Sequence, residues 1–190
     1  SLLDELNPQQ SAAVTHAGTP LLVVAGAGSG KTRVLTRRIA YLLAERNVAP
    51  YEILAITFTN KAANEMKERV IDLVGARAKA MWVSTFHSAC VRILRSDASA
   101  LGYSNSFTIY DSSDSLRLVT LVMKDMNLDP KKYNARAIAG LISDAKNELI
   151  GPADFVQNVK NQFDEIVAEV YSHYQKRLGS ANAMDFDDLI

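Results

Sequence analysis

Three glycines followed by a lysine and a threonine form the stretch of this sequence with the clearest chemical meaning. Gly26, Gly28 and Gly30 alternate with small residues and lead directly into Lys31 and Thr32. Glycine has no Cβ, so such a loop can turn its backbone N–H groups inward and surround an anion. A lysine ammonium adds a charge for the β- and γ-phosphates of a nucleotide, and a threonine hydroxyl is a ligand for Mg²⁺. The pattern is that of a P-loop.

The residues on either side of this loop predict the elements that position it. Residues 21–24 are apolar and predict a buried strand, whereas residues 33–43 have the hydrophobic period of a helix. The loop would then lead into the positive end of a helix dipole, which favours phosphate. Ala25 departs from the strict motif, which begins with glycine. The predicted phosphate-binding residues are Ala25, Gly26, Ala27, Gly28, Ser29, Gly30, Lys31 and Thr32.

A glutamine precedes the P-loop. Asn7 and Pro8 predict the start of a short helix that contains Gln10. Taken alone, such a glutamine is typically a solvated surface residue. A carboxamide is both donor and acceptor, however, and matches the N6 and N7 edge of adenine. We therefore expect Gln10 to distinguish ATP from GTP.

Two further strand-to-helix junctions carry polar side chains. Residues 53–56 predict one strand that is followed by residues 57–61, and a second strand begins at Trp82 and is followed by Thr85 and His87. The carboxyl ends of strands in an open α/β sheet share an edge, so both junctions should lie on the edge that carries the P-loop. Hydroxyls, an imidazole and helix N-termini are suitable donors to a sugar-phosphate backbone.

Two side chains at strand ends leave alternatives open. Phe58 lies among small polar residues and could be either a core residue or a platform on which a base stacks. Asp111 ends a predicted strand at residues 107–111 and could help to hold Mg²⁺. It fits equally well as the cap of the next helix, since Asp114 follows three residues later.

Composition and charge limit the function classes. The 190 residues are 48% hydrophobic and the net charge is zero, which fits a globular chain of one domain or somewhat more. Lys and Arg outnumber Asp and Glu by 12 to 8 in residues 1–100, but residues 101–190 have 9 against 13. The basic half contains the P-loop, which indicates a surface for a polyanion. The single Cys90 excludes a disulfide framework and a zinc site, and with no membrane span or signal peptide we expect a reducing cytosol.

The chain changes character after residue 110. Helical patterns without a convincing strand predict a helical subdomain within an α/β domain. Asp185, Asp187 and Asp188 could suggest a metal site, but the first turn of a helix is the better interpretation. Because that helix would begin where the sequence stops, we expect the chain to be the amino-terminal piece of a longer protein. The predicted helices lie at residues 113–126, 135–147, 152–159 and 163–178.

Five segments together resemble the early motifs of UvrD/PcrA/Rep-type DNA helicases of superfamily 1A. The resemblance implies a RecA-like P-loop NTPase domain with a parallel sheet and an inserted helical subdomain, incomplete at its C-terminus. It implies that residues 1–110 begin motor domain 1A, that residues 111–180 form subdomain 1B and that residues 181–190 return to domain 1A. The segments are residues 6–10, 25–33, 53–63, 82–88 and 185–189.

The same resemblance implies an activity, namely translocation in the 3′-to-5′ direction on single-stranded DNA and unwinding at junctions with duplex DNA, driven by ATP and Mg²⁺. It implies a bacterial cytosolic protein with DNA-repair or replication proteins as candidate partners. The Walker B motif and the second motor domain would lie beyond Ile190, so this segment alone should be inactive. Arg33 would lie beside the base. Single-stranded DNA would contact Thr57, Phe58, Thr59, Asn60, Lys61, Ser84, Thr85, Phe86 and His87, and duplex DNA would face Lys131, Lys132, Arg136 and Lys146.

Two other classes of function stay open at this point. A P-loop kinase or other small-molecule phosphotransferase would use Asp111 as its acidic partner and the helical segment as a lid. A non-catalytic protein-binding module would carry a degenerate P-loop, against which the intact run from Gly30 to Thr32 argues.

Overall fold

A computed structural model describes residues 1–190. The chain forms two compact units, Ser1–Ala89 and Cys90–Ile190, and each is described by itself. The second unit begins well before residue 111, where the sequence pattern places the start of the helical subdomain. The division into motor and helical domains therefore stays a prediction.

The first unit combines helices with one small parallel sheet. Strands β1 (Leu54–Thr57) and β2 (Trp82–Thr85) pair in parallel, with Thr57 opposite Thr85 at their ends. Two parallel strands in register end at the same edge, so the segments that follow them leave the sheet side by side. The helices are α1 (Pro8–Thr15), α2 (Lys31–Ala44) and α3 (Asn60–Val74), with 3₁₀ turns at Pro50–Glu52 and Ala76–Ala80.

One apolar layer holds this unit together. Leu43 of α2 and Val70 of α3 are completely buried, and Ile53 and Ala55 pack into the same cluster from β1 and the residue before it. The four-residue spacing of Ile39 and Leu43 places both on one face of α2. Burial of these faces fixes the helices that follow the P-loop and β1.

The strand predicted for residues 21–24 is not formed. Leu22 is 87% and Val24 is 89% exposed, and the segment has no regular secondary structure. A strand needs a neighbour that accepts its ladder of hydrogen bonds, and β1 and β2 pair only with each other. The apolar composition therefore predicted a strand for which this chain offers no partner.

The second unit is mostly helical. Helix α4 (Phe86–Asp97) begins in the first unit and ends in this one. The four helices predicted after residue 110 are confirmed within two residues, and the strand predicted at residues 107–111 is confirmed as β3. The elements are β3 (Thr108–Tyr110), α5 (Ser112–Asp125), α6 (Ala135–Asn147), α7 (Pro152–Gln157), α8 (Gln162–Ser180) and β4 (Ala183–Asp185), with 3₁₀ turns at Ala98–Leu101 and Asp187–Leu189.

The core of this unit lies between α5, α6 and α8. Ile138, Val167 and Leu178 are completely buried there, and Tyr171 and Tyr174 add two large aromatic rings to the same cluster. Strands β3 and β4 pair in parallel beside it, as a second two-stranded sheet. No helix of the chain has both the length and the apolar character needed to cross a membrane.

Candidate functional site

The P-loop has the backbone shape that an anion site requires. Gly28 and Gly30 adopt φ values of +76° and +83°, in the left-handed region that favours glycine. Helix α2 starts at Lys31, and no side chain caps its N-terminus. Its first N–H groups are therefore available to an anion, which the helix dipole also attracts.

The Lys31 ammonium is held by the loop itself. Its Nζ donates hydrogen bonds to the carbonyl oxygens of Gly26, at 2.6 Å, and Ala25, at 3.1 Å. The Ser29 hydroxyl donates to the same Gly26 oxygen at 2.6 Å. A phosphate is a charged acceptor and so competes well with two neutral carbonyl groups for this ammonium. Lys31 is thus already placed at the loop that would hold the phosphates.

Gln10 is attached to the P-loop, although 19 positions separate it from Ser29. Its Nε2 donates to the Ser29 carbonyl oxygen at 3.0 Å, and its Oε1 accepts from the Asn7 N–H at 3.0 Å in a capping box of α1. A Cβ at Gly30 would lie only 3.0 Å from the same Nε2. The structure therefore brings Gln10 to the predicted nucleotide site, with both ends of its carboxamide bonded within the chain.

The donor set at the loop fits Mg²⁺ that is shared with a nucleotide. Thr32 is exposed in the first turn of α2, and its carbonyl oxygen accepts from the Thr36 hydroxyl at 2.9 Å. No group of three or more His, Cys, Asp or Glu side chains is placed to hold a metal ion. Mg²⁺ keeps several waters and takes its other ligands from phosphates and one or two protein side chains, so the Thr32 hydroxyl would be one of its protein ligands here. Arg33 is exposed beside Thr32.

The threonines that end β1 and β2 start the next helices. The Thr57 hydroxyl donates to the Thr59 carbonyl oxygen at 3.0 Å, and Thr59 caps α3 by accepting from the Ala62 N–H. The Thr85 hydroxyl donates to the Ser88 hydroxyl at 2.9 Å. The two strand ends thus present helix N-termini side by side, as the strand pattern predicted.

An exposed aromatic pair lies at these strand ends. Phe58 is 93% exposed and Phe86 49% exposed, with ring centroids 6.4 Å apart and planes tilted by 50°. The alternative of Phe58 as a core residue is therefore wrong, because burial is what a core residue requires. Exposure of such rings costs hydration free energy, and a base that stacks on them would recover part of it.

The remaining predicted DNA-binding residues surround this pair in sequence. Asn60 and Lys61 are exposed in the first turn of α3, and His87 is exposed in the first turn of α4. Ser84 is half-buried, and its hydroxyl donates to the Thr85 carbonyl oxygen at 3.2 Å. All of the residues predicted to contact single-stranded DNA lie within the first unit.

Comparison with known proteins identifies the family. The model of the UvrD/REP helicase N-terminal domain family matches residues 6–190. The chain belongs to this family. It is 59% identical, over 193 aligned residues, to the ATP-dependent DNA helicase UvrD1 of Mycobacterium tuberculosis, and 55% identical, over 189, to the ATP-dependent DNA helicase PcrA of Bacillus subtilis. Both alignments cover 100% of this chain but only 25% and 26% of the relatives, so the chain spans about a quarter of their length.

In this helicase N-terminal domain, Lys146 does not have the exposed position predicted for duplex DNA. Its side chain is 6% exposed, and its Nζ donates to Asp185 Oδ2 at 2.7 Å and Asp188 Oδ1 at 2.8 Å. The sequence already indicates a buried position for Lys146, because it follows Ile138 and Ile142 at intervals of four residues and so lies on the buried face of α6. Because a charged group that is removed from water needs an opposite charge beside it, the Lys146 ammonium pairs with the carboxylates of Asp185 and Asp188.

The acidic residues near the C-terminus also differ from the prediction. Asp185 belongs to β4 and is buried, and the residues after it form a 3₁₀ turn rather than the start of an α-helix. The Tyr174 hydroxyl donates to Asp185 Oδ2 at 2.7 Å, and Asp185 Oδ1 accepts from the Asp188 N–H. The two carboxylates thus form a largely buried ion cluster in which they share the single ammonium of Lys146.

Burial and charge act in opposite directions on this cluster. Burial raises the pKa of Asp185, but Lys146 and the Tyr174 hydroxyl outweigh it and lower the pKa below its ordinary value. Burial and the neighbouring Asp185 raise the pKa of Asp188 in spite of Lys146. The surroundings therefore favour the ionised form of Asp185 and disfavour that of Asp188.

Asp111 serves as a helix cap in this domain. Its Oδ1 accepts from the Asp114 N–H at 2.8 Å, and Asp114 Oδ2 accepts from the Asp111 N–H at 3.3 Å, which forms a capping box of α5. The hydrogen bond from the Asp114 N–H lowers the pKa of Asp111. The cap interpretation of Asp111 is confirmed.

Proposed function

We propose that this domain is the nucleotide-binding and DNA-binding part of a helicase that uses ATP to translocate 3′ to 5′ on single-stranded DNA. The observation that carries the proposal is the presence, in one compact unit, of a P-loop and an exposed Phe58–Phe86 pair at two adjacent strand ends. Family membership supports it, since the similar proteins are named ATP-dependent DNA helicases. Residues 1–110 and 181–190 would belong to a RecA-like motor domain, with residues 111–180 as its helical insertion.

In the proposed nucleotide site, the N–H groups of the P-loop and α2 bind the phosphates, while Lys31 neutralises their charge. This ammonium exchanges its bonds to Ala25 and Gly26 for bonds to phosphate oxygens. The Thr32 hydroxyl would hold Mg²⁺, which supplies positive charge to the β- and γ-phosphates when it is bound. Gln10 lies against Ser29 and would exchange its present partners for the adenine edge, and Arg33 would lie near the base.

Single-stranded DNA would follow the ends of β1 and β2. Stacking of bases on Phe58 and Phe86 is independent of sequence, because every base offers a π-face. Exposed donors beside them would contact the phosphates, and this part of the binding should weaken with salt. The proposed contact residues are Thr57, Phe58, Thr59, Asn60, Lys61, Ser84, Thr85, Phe86 and His87.

We infer that ATP turnover by this chain alone is slow. The segments that leave β1 and β2 carry hydroxyl, aromatic, amide, lysine and imidazole groups but no carboxylate. P-loop NTPases use an acidic residue to complete the Mg²⁺ site and to orient the attacking water. Domain closure on ATP and opening after hydrolysis would then require parts of the relatives that this chain does not match.

Nucleotide binding is tested by titrating the chain with a fluorescent ATP analogue in the presence of Mg²⁺. Lys31→Ala should weaken binding about tenfold or more, because a hydrogen bond to a charged group contributes about 1.5–3 kcal/mol. ATP hydrolysis should be slow with or without single-stranded DNA. Rapid turnover that ignores DNA would overturn the helicase proposal in favour of a self-contained enzyme.

DNA binding is tested by fluorescence anisotropy with a labelled oligothymidine. The double variant Phe58→Ala and Phe86→Ala should lose affinity by about 1–3 kcal/mol for each base that stacks. Tyr51→Ala is the matched control, since Tyr51 is an aromatic residue of the same unit and is 81% exposed. Equal losses in the control and the double variant would show that the strand ends are not the DNA site.

A further inference from the structure

Helix α1 carries Gln10 near its N-terminus and is held at its other end by an arginine of α2. The Nη1 atom of Arg38 donates hydrogen bonds to the carbonyl oxygens of Ala13 at 2.8 Å, Val14 at 3.3 Å and His16 at 2.9 Å. The last carbonyl groups of a helix have no partners within the helix, and the helix dipole also favours a cation there. Arg38 therefore caps the end of α1 that lies opposite to Gln10.

This cap accounts for all of the polar contacts of Arg38. Its guanidinium is half-buried, and each of its hydrogen bonds goes to the end of α1. The salt bridges of the first unit involve other cations, namely the N-terminal amine, Lys61 and Arg69. A half-buried charge that bonds only to carbonyl oxygens of one helix end acts on the placement of that helix.

Few contacts hold α1 in its position. The helix has eight residues, Pro8–Thr15, and isolated helices shorter than about 12 residues are marginal in water. Val14 is completely buried, and Gln10 Nε2 donates to the Ser29 carbonyl oxygen at 3.0 Å. Together with Arg38, these contacts fix α1 against the P-loop and α2.

Adenine binding would remove one of these contacts. In the function proposed above, the Gln10 carboxamide turns to the adenine edge and gives up its bond to Ser29. Val14 and Arg38 then remain. Burial of Val14 is not directional, whereas a planar guanidinium that donates to three carbonyl oxygens fixes both the position and the rotation of the helix.

We propose that Arg38 is a positioning residue that sets the preference of the nucleotide site for adenine over guanine, because it holds α1 and thereby Gln10 in register with the phosphate-binding end of α2. Arg38 follows Lys31 by seven residues, on the same face of α2 and about 10 Å along its axis. One helix thus carries both a phosphate-binding group and the anchor of the helix that would contact the base. This inference rests on the proposed role of Gln10.

The test compares the affinities of the chain for ATP and GTP analogues that carry a fluorophore on the ribose, in the presence of Mg²⁺. Gln10→Ala should lower the ratio of ATP affinity to GTP affinity about tenfold, which corresponds to about 1.4 kcal/mol. Arg38→Met should lower the ratio about threefold or more, because the carboxamide is no longer held in register. Arg38→Lys keeps a cation without the planar fork and should give an intermediate ratio.

The ratio separates positioning from a loss of fold. A variant that is partly unfolded binds both nucleotides more weakly by the same factor, so the ratio does not change. Arg37→Met is the matched control, since Arg37 is the neighbouring arginine of α2 and also donates to backbone carbonyl oxygens, those of Ser1 and Leu2. It should leave the ratio unchanged. The double variant Gln10→Ala and Arg38→Met should have the ratio of Gln10→Ala alone, because Arg38 acts through Gln10.

Three outcomes would overturn the inference. If Gln10→Ala lowered the ratio and neither Arg38 variant did, Gln10 would contact adenine without help from Arg38. If Gln10→Ala left the ratio unchanged, the proposed adenine contact itself would be wrong, and the role of Arg38 with it. If Arg38→Met lowered the ratio further in the Gln10→Ala variant, or Arg37→Met lowered it equally, the effect would not pass through Gln10.

Discussion

The P-loop and the buried ion cluster differ in how they hold a lysine. Lys31 is exposed and bonded to two neutral carbonyl oxygens of its own loop, whereas Lys146 is buried and bonded to two carboxylates about 40 positions further along the chain. The first ammonium can exchange partners at little cost because its present acceptors are weak. The second cannot, because each bond it gives up would leave a charge without water.

The strongly bonded ammonium of Lys146 stabilises the fold, whereas the weakly bonded ammonium of Lys31 is available to a ligand. Lys31 bonds neutral carbonyl oxygens, whereas Lys146 forms salt bridges to both Asp185 and Asp188. Substitutions should therefore separate the two kinds of lysine by what they change: ligand affinity for Lys31 and stability for Lys146.

The largest effect is expected at Lys146. Lys146→Met should reduce the free energy of unfolding by about 3–5 kcal/mol, because it leaves the buried Asp185 and the half-buried Asp188 without a counter-charge. Urea unfolding followed by circular dichroism measures the loss. The control Lys176→Met, at an exposed position, should change stability by less than about 0.5 kcal/mol.

A triple variant tests whether the loss of stability comes from the unpaired carboxylates. Adding Asp185→Asn and Asp188→Asn to Lys146→Met removes the unpaired charges and should restore part of the lost stability. If Lys146→Met lost less than about 1 kcal/mol, the two carboxylates would be reached by water, and the contrast between the two lysines would be wrong.

The pH dependence of stability gives a smaller effect in the same cluster. The raised pKa of Asp188 contributes stability that is present below the ordinary carboxyl pKa of 3.8 and is lost as the pH rises through the raised value. The lowered pKa of Asp185 contributes stability that is present above the ordinary value and is lost as the pH falls through the lowered one. The cluster should therefore stabilise most near pH 3.8.

Asp188→Asn tests this sign directly. Urea unfolding between pH 3 and pH 7 should show that the unchanged chain loses stability relative to the variant as the pH rises above 3.8, by about 1.4 kcal/mol for each unit by which the Asp188 pKa is raised. Below pH 3.8 the two curves should run in parallel. A difference that does not vary with pH would mean that the Asp188 carboxyl group titrates alike in the folded and unfolded chain.

Local patterns predicted more of this domain than contacts between distant residues. The P-loop, the ends of β1 and β2 and the four helices after residue 110 follow from spacing and capping within short windows. The missing strand at residues 21–24 and the cluster of Lys146 with Asp185 and Asp188 depend on which segments meet in space. An apolar run does not indicate which strand it pairs with, and a lysine on an apolar face does not indicate which carboxylate it binds. The missing strand and the ion cluster could therefore not be predicted from the sequence.

The smallest change in stability is expected in the turn after Lys146, where it depends on backbone strain rather than on charge. Leu149 adopts a φ of +59° and is 86% exposed, and its N–H donates to the Lys146 carbonyl oxygen while the Ile150 N–H donates to that of Ala145. This is the helix-ending turn in which glycine is preferred. Leu149→Gly removes the strain and loses little packing, so we expect a gain of about 0.5–1 kcal/mol in urea unfolding.

Helix α5 ends in the same kind of turn and provides the control. Asn127 adopts a φ of +55°, its N–H donates to the Lys124 carbonyl oxygen, and the Leu128 N–H donates to that of Met123. Asparagine tolerates this conformation, so Asn127→Gly should change stability much less than Leu149→Gly. If Leu149→Gly and Asn127→Gly increased the free energy of unfolding equally, the increase would be a general effect of glycine in this turn and not the relief of strain at leucine. A loss at Leu149→Gly would mean instead that this exposed side chain has a contact which outweighs its backbone strain.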